Sequence, residues 1–219
     1  MDTLAILPIK TLTVAKQRLA DQLDVGTRRA LVEAMFSDVL VALRRATRVD
    51  QVLVVTADHG AQRIAEGYGA VVCDDDDQGH NSAAARGIAR ALELDAARGL
   101  LICGDCPLLD PAELDGLIGL PVESPSALIV PDRHDTGTNA LLLTPPGALQ
   151  PSFGPDSHAR HARQADAAGL TALTIRIPTL ALDVDTPEDL AVVQGTLEER
   201  RGGAAHTRGM LRQLLRSRA

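Results

Sequence analysis

Six continuous apolar runs of strand length, separated by stretches with helical character, constrain this chain more than any other feature. They are "LAILPI" (4–9), "QVLVVT" (51–56), "AVVC" (70–73), "GLLICG" (99–104), "SALIVP" (126–131) and "NALLLT" (139–144). A strand with one face in water alternates apolar and polar residues, so unbroken apolar runs belong to strands covered on both faces. The stretches between them supply the cover. From Thr27 to Arg45 the residues Leu31, Met35, Val39 and Leu43 recur at helical spacing, and "NSAAARGIARALELDAA" is rich in helix formers behind an Asn/Ser start. This order predicts a single-domain α/β fold, with a mostly parallel central sheet flanked by helices. Later, the apolar runs of "LTALTIRIP" and "LALDVD" are separated only by Pro178 and Thr179, which reads as an antiparallel return at a sheet edge before a last helix from Pro187.

Composition narrows the class. A chain of 219 residues, 45% of them hydrophobic, buries one sizeable core. Its three cysteines, Cys73, Cys103 and Cys106, are too few and too odd in number for a disulfide scaffold, which points to a reducing compartment such as the cytoplasm. No apolar run approaches the roughly 18 to 20 residues of a membrane span, and the first residues lack the pattern of a signal peptide. The net charge is −7; residues 201–219 hold five arginines and no acid, which leaves −12 on the first 200 residues. An acidic body argues against a nucleic-acid-binding face. The expected organisation is therefore a domain over 1–199 and a basic tail over 200–219. Met210, Leu211, Leu214 and Leu215 give that tail the apolar face of a short helix for packing on a second copy in a homodimer; a solvated, frayed end is the competing reading.

Ligands of open α/β sheets bind beyond the carboxyl ends of the strands, and there the apolar runs give way to charge. Lys10 and Lys16 follow the first run and are the only lysines in a chain with 20 arginines. Asp105 follows the fourth, Asp132 and Arg133 the fifth, and Asp183 and Asp185 stand within "LALDVD". In an extended strand residues two apart share a face, so Asp183 and Asp185 would point together. Two such charges about 4 Å apart repel by about 4 kcal/mol at an effective dielectric near 20, and a hard cation such as Mg²⁺ would relieve that repulsion. The competing reading, a helix cap in "DTPEDL", suits Asp185 or Thr186 but not Asp183. "CGDC" has redox spacing, but an acid between its cysteines disfavours a thiolate. The four acids at 74–77 read as a solvated loop from which one member could contact a guanine edge. The histidines have no zinc spacing, and there is no P-loop motif.

Metal-binding carboxylates opposite cations suit phosphoryl or nucleotidyl transfer. The ordered segments "PIKTLTVAKQRLA", "VVTAD", "GHNSAA", "GDCPLL", "PDRHDTGTNALLL", "FGPDSHARHARQA" and "LDVDTPEDL" resemble the 2-phospho-L-lactate guanylyltransferase family of coenzyme F(420) biosynthesis, whose bacterial members are called phosphoenolpyruvate guanylyltransferases. The resemblance runs from residue 1 to about 198. It implies a Rossmann-like nucleotidyltransferase fold and the joining of GTP to a three-carbon phosphoacid. By motif match Asp105, Asp183 and Asp185 would bind Mg²⁺, Thr138, Gly154 and Ser157 would hold the phosphoacid, and Lys10, Lys16 and Arg18 would act on the triphosphate. Asn81 and Ser82 of "GHNSAA" would lie on the nucleotide side. Two departures stand out: Ile9-Lys10-Thr11 replaces the Gly-rich loop of sugar-nucleotide transferases, and His80 stands where the family pattern suggests leucine.

A physical argument supports the acceptor site. Gly154 lets the chain turn with its amides exposed, and Ser157 opens a helix whose N-terminus favours an anion. The arginine-rich composition is that of a GC-rich bacterium, which favours phosphoenolpyruvate over 2-phospho-L-lactate. The alternatives are another nucleotidylyltransferase, of molybdenum-cofactor or sugar-phosphate type, and a non-catalytic nucleotide-binding regulator.

Overall fold

The computed structural model describes residues 1–12 and 15–217; Thr13, Val14 and the last arginine of the basic stretch, Arg218, lie outside the described residues. The strands are β1 (Thr3–Pro8), β2 (Gln51–Val55), β3 (Val71–Cys73), β4 (Arg98–Ile102), β5 (Ser126–Pro131), β6 (Thr138–Thr144) and β7 (Thr171–Thr174). They form one sheet in the order β3-β2-β1-β4-β6-β5-β7. All pairs are parallel except those of β6, which runs antiparallel to both neighbours. The expected mostly parallel sheet is present, but its antiparallel element is β6, inserted between β4 and β5. The edge strand β7 pairs parallel to β5, and residues 180–185 form no strand.

Period-two alternation divides the apolar runs between two cores. Along β1, Ala5 and Leu7 face one side, while Leu4 and Ile6 face the other. The first core packs under α1 (Val25–Arg45), α2 (His59–Gly67), α4 (Pro111–Ile118), α6 (Pro187–Glu199) and α7 (Ala205–Ser217), and the second under α3 (His80–Glu93) and α5 (Ser157–Ala167). Side chains of preceding acids start several helices: Asp24 accepts from the Thr27 amide, Asp58 from Gly60 and Ala61, and Asp110 from Ala112. Thr186, not Asp185, caps α6, in a reciprocal capping box with Asp189.

The basic stretch after residue 200 is not a free tail. It folds as α7 against α1 of its own chain, with the amides of His206 and Thr207 donating to the buried Asp38 carboxylate at 3.1 and 2.7 Å. Ala204 and Leu211 are buried in the first core. Among the described residues no helix is long and apolar enough to cross a membrane.

Candidate active site

The carboxyl ends of β1 and β4, the central parallel pair, fix where the charged residues meet. The chain leaves β1 through Ile9, whose amide still bonds Val55, and reaches Lys10, which is exposed. Lys16 then adopts a left-handed backbone (φ 55°, ψ 45°), uncommon for a residue with a Cβ. Its Nζ contacts Asp105 Oδ2, three residues beyond β4, and lies 2.6 Å from Asp185 Oδ1. Only 8% of the Lys16 side chain is exposed, against 25% for Asp105 and 50% for Asp185. Burial alone would lower the Lys16 pKa, but the charges and hydrogen bonds of Asp105 and Asp185 outweigh it and hold the ammonium protonated. At Asp105 burial opposes ionisation, and Lys16 more than offsets it. Asp183 differs: burial first, then the charge of Asp105, pushes its carboxyl up to about 6, against a hydrogen bond from Asn139 Nδ2 at 3.0 Å.

The shared-face argument for Asp183 and Asp185 therefore does not hold, because their segment is a loop stitched to the rim at several points. Val184 N donates to Asp105 O at 3.2 Å, and the Leu180 carbonyl accepts from Asn139 Nδ2 at 2.8 Å. Each of the two aspartates has its own partner, Asn139 or Lys16.

The half with Thr138, Gly154 and Ser157 is built from the other side. Because β6 runs antiparallel to β4, its first residues lie at the carboxyl end of β4, where Cys103 N donates to Asn139 O. Alternation sends Asn139 towards Asp183 and Thr138 to the opposite face, where Thr138 Oγ1 lies 3.0 Å from His161 Nδ1. Gly154 has φ +120°, so a side chain there would be strained, and α5 starts at Ser157 as expected. The expectation of exposed amides is corrected in part. Ser157 N donates to Gly154 O and His158 N to Thr136 O, whereas the Gly154 amide has no partner among the described residues. Arg160 braces the loop through the carbonyls of Ser152 and Pro155.

Beside this half lies an open cleft of about 420 Å³, lined by Ile9, Lys10, Asp75, Asp77, Gly79 and His80 among others. Asn81, next in the chain after His80, spends its side chain elsewhere: Oδ1 accepts from Phe153 N at 2.7 Å and Nδ2 donates to Phe153 O at 3.1 Å. It clamps the loop at Phe153 to the start of α3. Ser82 and Arg18 are exposed. Phe153 meets His80 and His161 edge-on, with centroids 5.1 Å away in both cases. Two charged residues flagged from the sequence serve the scaffold instead. Arg133 pairs with Asp189 at 2.6 Å, and Asp132 accepts amides of its own turn from His134, Thr136 and Gly137. Sequence reasoning missed Asn139 and His161; their signal is adjacency to Thr138 and a one-turn offset from Ser157.

The residues fit a hard divalent cation. Carboxylates already converge on one buried positive charge, the Lys16 ammonium, and their oxygens are the donors Mg²⁺ takes. Asp105, Asp183 and Asp185 would hold the ion once that ammonium gives up its place. The one tight ligand group among the described residues is a different set, Asp105 with the thiols of Cys103 and Cys106, within 4.8 Å of one another. Burial pushes the Cys106 thiol well up; at Cys103 the hydrogen bond with Cys106 lowers the pKa, but burial and the nearby acids Asp105 and Asp183 together outweigh it and leave that thiol raised as well. Protonated thiols are poor ligands, so the aspartates are the better set.

The chain is similar to known proteins over nearly its whole length. The family model described as guanylyl transferase CofC like matches residues 3–215, which includes most of α7. The chain is 57% identical to the phosphoenolpyruvate guanylyltransferase of Conexibacter woesei, over 99% of this chain and 98% of that protein. It is 36% identical to the 3-phospho-D-glycerate guanylyltransferase of Colwellia psychrerythraea, over 88% of this chain and 91% of that one. Among solved structures, a protein of Desulfovibrio desulfuricans G20 provisionally assigned as a nucleotide-diphospho-sugar transferase superposes with a TM-score of 0.77, covering 97% of this chain and 95% of that one at 16% identity. That likeness concerns the fold alone.

Proposed function

The chain belongs to the guanylyl transferase CofC-like family, and from that premise we propose that it joins GTP to phosphoenolpyruvate, giving enolpyruvyl-2-diphospho-5'-guanosine and diphosphate in coenzyme F(420) biosynthesis. The observation that carries the reading is the meeting of Lys16 with Asp105 and Asp185, beside Asp183, at the rim between the cleft and the Thr138–Gly154–Ser157 loop system. An acidic pocket with its own cation suits a reaction in which two phosphates must approach each other.

In this reading a phosphate oxygen of phosphoenolpyruvate attacks the α-phosphorus of GTP. One P–O bond forms, the α–β anhydride bond breaks, and diphosphate leaves with the electron pair. The acceptor is already an anion, so no protein nucleophile or base is needed. Asp105, Asp183 and Asp185 would hold Mg²⁺, which would supply charge neutralisation for the reacting phosphates. Lys16, with Lys10 and Arg18, offsets charge on the leaving diphosphate; a compact ammonium on a flexible stem can follow that charge as it moves. Thr138, the Gly154 amide and Ser157 orient the acid, and the cleft beside Lys10 and His80 receives the nucleoside.

The decisive experiment measures diphosphate release with GTP, ATP and CTP against phosphoenolpyruvate, 2-phospho-L-lactate and 3-phospho-D-glycerate. The highest kcat/KM is expected for GTP with phosphoenolpyruvate. The Colwellia relative's name makes 3-phospho-D-glycerate the specific second reading. A higher kcat/KM for another acid would replace the acceptor and keep the class, whereas no diphosphate with any acid would remove the class.

A further inference from the structure

We infer that His161 is a positioning residue that makes the Thr138 hydroxyl a donor towards the acceptor acid. The inference rests on the placement of Thr138 in the acceptor site under the proposed function.

His161 is fully buried in the second turn of α5, with Phe153 packed edge-on against its ring. Ser152 N lies 2.9 Å from Nε2. A backbone amide can only donate, so Nε2 must carry a lone pair. Burial, reinforced by the nearby charges of Arg160 and His158, holds the ring's pKa down to about 4, so the ring is neutral at pH 7. Its one proton is then on Nδ1, 3.0 Å from Thr138 Oγ1, and Thr138 accepts it.

The consequence appears one bond further on. A hydroxyl that accepts from His161 keeps its own proton, and among the described residues Oγ1 has no side-chain or backbone acceptor for it. That proton is free for a ligand oxygen. Phosphate and carboxylate groups present only acceptors, so a hydroxyl committed to donating attracts them. With the opposite tautomer, Thr138 would donate to Nδ1 and turn lone pairs towards the anion, which repels it. The Ser152 amide therefore sets the ring's tautomer, and the ring sets the polarity of Thr138.

Two measurements test this on the intact protein. Long-range ¹H–¹⁵N correlation of ¹⁵N-labelled wild type is expected to show His161 neutral and protonated on Nδ1 from pH 6 to 8; an Nε2–H ring or an imidazolium overturns the inference. The second is a double-mutant cycle of His161→Phe and Thr138→Val, read as separate KM values for phosphoenolpyruvate and GTP. Each single change is expected to raise the phosphoenolpyruvate KM about 10- to 100-fold, as for loss of a hydrogen bond to a charged group, with the GTP KM within about twofold. The double variant should be no worse than either single, and His161→Asn, which keeps a donor near Nδ1, should recover part of the loss. Additive losses, or equal rises in both KM values, overturn the inference while leaving the proposed function intact. An unchanged phosphoenolpyruvate KM in Thr138→Val removes both the inference and the assignment of Thr138 to the acceptor.

Discussion

Asp183 changes its state just below neutrality, because its carboxyl is raised from 3.8 to about 6 by burial and by the charge of Asp105. The folded chain thus holds a proton that the unfolded chain gives up earlier. Between about pH 4 and 6 the folded state binds more protons, so apo stability falls as pH rises through that window and levels off above it. Asp183→Asn removes the effect: its Tm is expected to exceed that of wild type at pH 7 and to converge with it near pH 4, while turnover falls at least 100-fold. A constant Tm difference across the window would show that Asp183 ionises normally. Lys16 gives the companion case. Lys16→Ala leaves Asp105 and Asp185 without their cation, so it should lower apo Tm and turnover, yet Mg²⁺ should raise its Tm more than it raises that of wild type, since the ion no longer displaces an ammonium. Equal Mg²⁺ shifts would mean that no metal enters among these aspartates. Much of this chemistry was legible in the sequence, because two lysines in an arginine-rich chain and acids at strand ends mark themselves. Asn139 and His161 did not: each looks like an ordinary strand or helix residue until a partner more than twenty positions away is known.

At the scale of elements, apolar runs revealed that strands exist but not their neighbours. A buried strand reads the same whether it is parallel or inserted antiparallel, so the place of β6 between β4 and β5 had no sequence signature. The "LALDVD" segment misled for a related reason. Leu180 and Val184 are fully buried, which gives strand-like alternation, but their backbone bonds go to single points such as Asp105 O. Helix packing on the sheet yields a test with two signs. A Cβ on Gly87 in α3 would lie 2.2 Å from Ile6 Cγ2 in β1, whereas one on Gly116 in α4 meets nothing within 4 Å. Gly87→Ala should therefore destabilise by about 1 to 3 kcal/mol despite its better helix propensity. Gly116→Ala should stabilise by about 0.5 to 1 kcal/mol. Chemical denaturation of both variants checks the close approach of α3 to β1; stabilisation by Gly87→Ala would show that α3 stands farther off.

For the whole molecule, the question is where the domain ends. Charge alone divides an acidic body from a basic stretch at about residue 200, and that division makes residues 1–199 look self-sufficient. Packing divides the chain differently. Asp38, buried in the middle of α1, accepts the first amides of α7, and Arg208 donates to the carbonyls of Leu197, Arg200 and Gly202, so the turn between α6 and α7 is held from both ends. Arginines on a short helix suggest a solvated end when only their charge is read, but the apolar face carrying Leu211 closes the first core of the same chain. A chain ending at residue 199 should therefore lose more than a tail: it uncovers Asp38, now without its amide donors, and the α1 surface beneath Leu211. With one to two apolar side chains' worth of burial lost, the cost is about 3 kcal/mol, or a Tm lower by about 6 to 12 °C for a chain of this size. Because α7 packs on α1 and α6 and supplies none of the residues at the rim, the KM values for GTP and phosphoenolpyruvate measured well below the lowered Tm should stay within about twofold. An unchanged Tm would restore the boundary at 199 and leave α7 as an appendage. A lowered Tm together with large KM changes would show that α7 supports the site itself, through the α6 cap that follows Asp185.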